Sequence, residues 1–288
     1  MRTFLIGTDW WTDCDDAAAI RLLARAALRG EIRIACFGIN ACMPESVSSL
    51  REFLRREGFP HPVIGIDHRA TDTGGRPPYQ KRLAEQSGDP FSNDRAPDAV
   101  QLYIDILRAA AEPLEIIEIG FMQVLDDVLA REPALFAAKV KKVWIMAGKW
   151  DDDPGREHNF IKTARSRAGA HHFCELCPVP VTFLGWEVGA SVRIGESLPE
   201  GDVLRQVFAD HGSAERGRSS WDPMLAYMAL LGDEGAAGYD TVRGTASVDA
   251  ETGENRFAPS PDGRHCYVVK READVYYHDV LTQAIAAQ

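Results

Sequence analysis

The sequence predicts an α/β protein built on an open, mostly parallel sheet with helices on both faces. Two observations carry that expectation. Short apolar runs of strand length alternate with amphipathic stretches of helix length, in a β-α-β-α rhythm. The chain also has 288 residues, 45% of them hydrophobic, enough apolar material for a sizeable core.

The elements follow in order. Residues 3–7 read as a buried strand, and 16–28 as a helix with Ala17, Ile20, Leu23 and Ala27 on one face. Residues 32–37 are a second strand; 44–56 are a helix that Pro44 opens and Gly58 ends. A third strand covers 63–66. A helix over 99–111 leads to a strand over 114–119, and a further helix begins at 125–130. Strands over 142–146 and 181–184 flank a helix over 165–176. From about Tyr239 the chain alternates as β-hairpins do, with turn signals at 249–254 and 260–263, and it closes on a helix over 275–287. Two stretches, about 67–97 and 211–220, break the rhythm: they are polar and Gly-rich and read as lid-like loops. No internal repeat or low-complexity tract interrupts what reads as a single domain over 1–288.

Composition excludes several classes. There are 43 acidic against 32 basic side chains, a net charge of −11, which argues against a nucleic-acid-binding surface. No apolar run is long enough to span a bilayer, so no membrane partner is expected. The start, Met1-Arg2-Thr3, leads into a short strand and then into aspartates, unlike a secretory signal. Six cysteines without regular spacing make no disulfide framework, so a reduced, cytoplasmic enzyme is expected.

The informative feature is the run Thr8-Asp9-Trp10-Trp11-Thr12-Asp13-Cys14-Asp15-Asp16, between the first strand and its helix. In open α/β sheets ligands bind outside the carboxyl ends of the strands. Carboxylates clustered there repel one another unless a cation neutralises them, and oxygen donors without His or Cys suit Ca²⁺ or Mg²⁺ rather than zinc. The plainer alternative is that acids favour the first turn of a helix, which accounts for Asp15 or Asp16 but not for Asp9 and Asp13. Asp13 reads as a loop cap, and Trp10 and Trp11 either line a pocket or pack the loop. Cys174-x-x-Cys177, preceded by His171 and His172, lies at a helix end without a second Cys/His pair nearby, so packing is the simpler reading. Neither a Gly-x-Ser-x-Gly elbow nor a Walker loop occurs, and Asp9 is followed two residues on by Trp11, not by the second acid of an Asp-x-Asp phosphatase.

Here the chain resembles the nucleoside hydrolases of the inosine–uridine-preferring type. Their loop after the first strand is Asp-x-Asp-x-Gly-x-Asp-Asp followed by a helix beginning Ala-x-Ala-Ile; this chain has Asp15-Asp16-Ala17-Ala18-Ala19-Ile20. With a loop two residues longer, the second Asp of the pattern falls on Asp9, and Gly7 stands in place of the first. Further landmarks keep the family's order over roughly residues 3–230. They are Gly38-Ile39-Asn40, Pro62-Val63-Ile64-Gly65, Gly120-Phe121-Met122-Gln123, Trp144-Ile145-Met146-Ala147-Gly148, Glu157-His158-Asn159-Phe160 and Trp221-Asp222-Pro223.

The resemblance implies a Rossmann-like core and a calcium-dependent N-ribohydrolase that cleaves a ribonucleoside to base and ribose. It implies Asp9 as catalytic base, and Asp9, Asp16, Asp222 and the Gln123 carbonyl as calcium ligands. It also implies Asp15, Asn40, Met146, Glu157 and Asn159 around the ribose, with Asp151 a weaker candidate, and a homo-dimer or homo-tetramer. The family's pyrimidine-competent members carry a proton-donating His where this chain has Trp221. An indole cannot donate that proton but can stack on a base, which suggests a purine substrate. His158 and His211 are the alternative donors. Two further readings stay open: a non-catalytic calcium-dependent ribose or nucleoside binder, and a hydrolase of a modified ribosyl compound.

Overall fold

The structure, a computed structural model, describes residues 1–11, 13–75, 77–89 and 92–286. The strands are β1 (Arg2–Thr8), β2 (Ile32–Ile39), β3 (Ile64–Ile66), β4 (Leu114–Glu118), β5 (Val140–Met146), β6 (Val181–Leu184), β7 (Arg193–Ile194), β8 (Arg218–Ser219), β9 (Tyr239–Val248), β10 (Asn255–Pro259) and β11 (His265–Lys270). All but β7 and β8 join a nine-stranded sheet in the order β10-β9-β11-β6-β5-β4-β1-β2-β3. From β11 across to β3 every neighbouring pair is parallel; β9 runs antiparallel between β11 and β10. The expected mostly parallel sheet is present; of the expected C-terminal hairpins, β9–β10 forms around the turn at 249–254, whereas β11 pairs with the other edge of β9 and not with β10.

Strand order locates the site. From β1 the chain steps outward to β2 and β3, then returns to the other side of β1 for β4, β5 and β6. Loops leaving β1 and β4 therefore part in opposite directions, and a crevice opens outside their carboxyl ends.

Residue alternation in β1 divides the core. Phe4 and Ile6 pack into one apolar layer, Leu5 into the other, and all three are fully buried. The first layer is closed by the helices Asp15–Leu28, Ser46–Arg56 and Trp221–Leu231, the second by Ala99–Ala109, Gln123–Arg131 and Ala164–Leu176. Ala17, Ala18 and Ala19 let the helix Asp15–Leu28 lie close against Trp221–Leu231, which brings their two N-termini together.

Several boundaries differ from expectation, for local reasons. The second helix starts at Ser46, not Pro44. Ser46 Oγ accepts the Met43 N–H at 2.9 Å, and Val47 N donates to Asn93 Oδ1 at 2.9 Å, so a side chain distant in sequence sets the start. The stretch 67–97 is not a plain loop: it carries helices Pro78–Ser87 and Ser92–Arg95, and Tyr79 and Leu83 are buried. Their (i, i+4) spacing supplies a narrow apolar stripe that the surrounding polar residues hide in the sequence. In 211–220, Arg218–Ser219 pairs with Arg193–Ile194. The last helix spans Asp274–Ala286; Ala287, the expected end, lies outside the described residues, as does Thr12 of the acidic run. Cys174 and Cys177 are buried, free thiols beside the C-terminus of the helix Ala164–Leu176, as the packing reading expects. No described helix is long and apolar enough to cross a membrane.

Candidate active site and metal centre

A cavity of about 230 Å³ lies at the carboxyl end of the sheet, lined by Asp9, Asp15, Asp16, Asp222, Met146, Glu157, Asn159 and Trp221 among others. Eight of the ten sequence-derived site residues thus meet in one place. The other two, Asn40 and Gln123, are not among its lining residues.

Thr8, the last residue of β1, starts the construction. Its hydroxyl donates to Asp16 Oδ1 and accepts the Trp10 N–H at 3.0 Å. Among the described residues Trp10 is the one non-glycine with clearly positive φ, 48°. That conformation costs an aromatic residue about 1–3 kcal/mol, and the surroundings hold it there. The indole is buried against Phe53 and Tyr79 and donates to Ser49 Oγ at 2.8 Å, while the Trp10 carbonyl accepts the Gln80 amide. Trp10 therefore packs the loop, whereas Trp11 lines the cavity. Asp9 Oδ1 accepts the Trp11 N–H at 3.1 Å.

Asp15 and Asp16 open the helix Asp15–Leu28, and Asp222 is the second residue of Trp221–Leu231. Asp15 Oδ2 accepts the Asp222 backbone N–H at 3.1 Å. One carboxylate oxygen from each of Asp15, Asp16 and Asp222 lies within 4.8 Å of the others, and all three side chains are buried. Two helix N-termini offset part of the repulsion. The remainder appears in the protonation equilibria. Burial, then the neighbouring carboxylates, drive Asp9, Asp15 and Asp222 far above the ordinary aspartate range. Burial also lifts Asp16 to about 7, against the opposing Thr8 hydrogen bond. The cluster is short of positive charge, and its donors are all carboxylate oxygens, so it fits a hard divalent cation.

Asp13 stands apart. It accepts the Cys14 N–H at 2.6 Å, as a loop cap does, and is held by a two-pronged ion pair from Arg218, with Nε 2.6 Å from Oδ1. Asp151 is exposed, pairs with Lys149 and does not line the cavity.

On another wall Glu157 accepts backbone N–H groups from Gly148 at 3.0 Å and Asn159 at 2.9 Å, and burial lifts its carboxyl to about 7. Asn159 Nδ2 donates to the Met146 carbonyl at 2.9 Å. The Trp221 indole N–H donates to the Trp186 carbonyl at 2.6 Å, and the two rings lie 6.3 Å apart. His158 lines the cavity, its ring stacked on Trp11 at 5.8 Å.

Asn40 is fully buried and acts as a cross-link beneath the cavity. Its N–H donates to the Thr8 carbonyl at 2.9 Å and its amide donates to Glu118 Oε1 at 2.8 Å. Its Oδ1 accepts the Phe121 N–H at 2.9 Å. Asn40, expected at the ribose, is not among the cavity-lining residues; the end of β1, Glu118, Phe121 and Gln123 engage its polar groups. Gln123, at the start of its helix, donates its amide to the Asn40 carbonyl at 2.6 Å and is not among the cavity-lining residues.

Trp186, Arg218 and Glu118 were missed in the sequence reading. Trp186 and Glu118 sit at the carboxyl ends of β6 and β4, the position that marks ligand-facing residues in such sheets. Arg218 carries no sequence signal beyond lying three residues before Trp221.

The chain has the fold of the nucleoside hydrolases. A plant nucleoside hydrolase, PpNRh1, superposes with a TM-score of 0.73 at 15% identity, over 100% of this chain and 99% of that one. The inosine-uridine preferring nucleoside hydrolase from Bacillus anthracis gives 0.71 at 16% identity, over 99% and 98%. The purine-preferring ribonucleoside hydrolase from Gardnerella vaginalis gives 0.71 at 14%, over 99% and 98%. No family model and no curated protein matches the chain by sequence.

Proposed function

We propose that this chain is a calcium-dependent N-ribohydrolase that cleaves a purine ribonucleoside to free base and ribose. One observation carries the reading: Asp9 and the Asp15–Asp16–Asp222 cluster share a cavity with Glu157, Asn159 and Met146, in a nucleoside hydrolase fold.

Cleavage of an N-glycosidic bond passes through a ribosyl cation. Site carboxylates stabilise that charge, and ribose contacts position the sugar. Asp16, Asp222 and Asp9, with the Gln123 carbonyl, are the proposed calcium donors; Asp15 is within reach of the same ion. A bound calcium supplies positive charge that acidifies water and anchors the ribose hydroxyls. Asp9 takes the proton of the attacking water. Asp15, Glu157 and Asn159 hold the sugar hydroxyls, each carboxylate as acceptor. Asn40 serves from below, by fixing the strand ends. The Trp221 N–H is committed to Trp186, so Trp221 offers the base its ring face, a contact worth about 1–3 kcal/mol. A homo-oligomer in the cytoplasm completes the proposal.

The test is release of reducing sugar from a panel of purine and pyrimidine ribonucleosides, with calcium and after chelation. Calcium-dependent release with purine preference is expected. No release from any nucleoside overturns the proposal, and nucleoside-dependent thermal stabilisation without turnover makes the protein a binder.

A further inference from the structure

Departure of a neutral base from ribose leaves an electron pair on a ring nitrogen, and a proton delivered there lowers the barrier. The donors that line the cavity can be taken in turn. Trp221 spends its N–H on the Trp186 carbonyl. Arg218 is clamped by Asp13. Each Glu157 oxygen accepts a backbone N–H, and Glu157 and Asn159 are assigned above to the sugar hydroxyls; Asn159 also donates to the Met146 carbonyl. Asp15, Asp16 and Asp222 belong to the cation cluster, Asp9 is the proposed base, and Asp13 is paired with Arg218. His158 remains. Its ring lines the cavity, stacked on Trp11 at 5.8 Å and 24° and tilted against Phe121 at 5.9 Å. No described residue makes a hydrogen bond to either of its ring nitrogens.

Resting on the hydrolase reading above, we infer that His158 is the proton donor to the leaving base. The C1′–N bond breaks with its electron pair passing to the base, which takes the imidazolium proton. The water oxygen bonds to C1′ and its proton passes to Asp9. Solvent then reprotonates His158 and takes the proton from Asp9, so the sum is nucleoside plus water to base plus ribose.

Two charged groups act on the ring: Lys162, which follows the short helix His158–Ile161, and Asp13 on the loop after β1. Burial first, then Lys162, lower its pKa, against Asp13. The acid form is thus lost below the ordinary histidine range, and turnover on this route falls as pH rises through that lowered value.

The experiment compares wild type, His158→Gln and His158→Phe on a purine ribonucleoside and on p-nitrophenyl β-D-ribofuranoside, whose phenolate departs without a proton. The Phe variant keeps the ring packing on Trp11, so it separates proton donation from packing. Both variants are expected to lose about 100-fold or more in kcat on the nucleoside and to lose the alkaline fall in its pH profile, while the phenolate substrate changes little. Equal losses on both substrates, or no loss on the nucleoside in a wild type that cleaves it, overturns the assignment of His158 alone. A wild type that cleaves neither substrate overturns the hydrolase reading and this one with it.

Discussion

The carboxyl group of Glu118, on β4, occupies the space that Gly7, on β1, leaves open. A Cβ on Gly7 would lie 2.0 Å from Glu118 Oε2. Glu118 is fully buried, and its Oε1 accepts the Asn40 amide at 2.8 Å and the Gly120 N–H at 3.0 Å. The pair thus fastens together the ends of β1, β2 and β4 directly under the cavity.

Gly7→Ala should destabilise the fold by about 1–3 kcal/mol, because the methyl group drives Glu118 out of its hydrogen bonds. Burial lifts Glu118 to about 8, so the neutral acid prevails near pH 7, and Glu118→Gln should be tolerated far better than Glu118→Ala. Urea midpoints of the three variants test this. A neutral Gly7→Ala would show that Glu118 is not locked in place.

Stability should depend on pH and metal together. Glu118 rises to about 8, Asp16 to about 7 and Glu157 to about 7, all by burial. Each folded-state value lies above the unfolded one, so the folded protein holds protons that the unfolded chain releases. This contribution is fully present below about pH 4, near the ordinary carboxylate values, and is lost as pH rises toward 8. Without metal, Tm should fall over that range. Calcium should raise Tm most at the alkaline end, where the carboxylates it binds are ionised. A metal-independent Tm across pH would contradict the cation site.

Asp9→Asn should lower kcat by about 10²- to 10⁴-fold while ribose binding survives, since the amide cannot take the water proton. Turnover and ribose-dependent thermal shift, measured on the same preparation, separate the two. Undiminished turnover would remove Asp9 from the role of base.

Trp221→Ala should weaken purine nucleoside binding by about 1–3 kcal/mol, roughly 5- to 150-fold, and leave ribose binding nearly unchanged. Inhibition constants for free purine base and for ribose make the comparison. Equal losses for both ligands would mean that Trp221 supports the cavity wall instead of facing the base.

Much of the fold could be read along the chain because the signals are local. The runs around Phe4–Ile6 and Ile116–Ile117 are apolar on both faces, and only strands within a covered sheet bury that pattern. Asp15 and Asp16 announce themselves by standing at the junction of strand and helix. The helix Pro78–Ser87 was missed because its stripe is only Tyr79, Leu83 and Ala84, too few to register until Trp10 and the Asp13 loop pack against it. Arg218 was missed because its partner Asp13 is 205 residues away.

Chemistry and periodicity alone determined the class of fold and the presence of an acidic site, since both follow from residues adjacent in sequence. Tertiary structure decided which acids share the site. Strand order sets the ends of β1 and β4 side by side, and helix packing carries Asp222 to Asp15 and Asp16. It also withdrew Asn40 into the framework and brought His158, Trp186 and Arg218 to the cavity. The place of Arg218 rests on contacts between segments distant in sequence, and that residue carries no local trace of it.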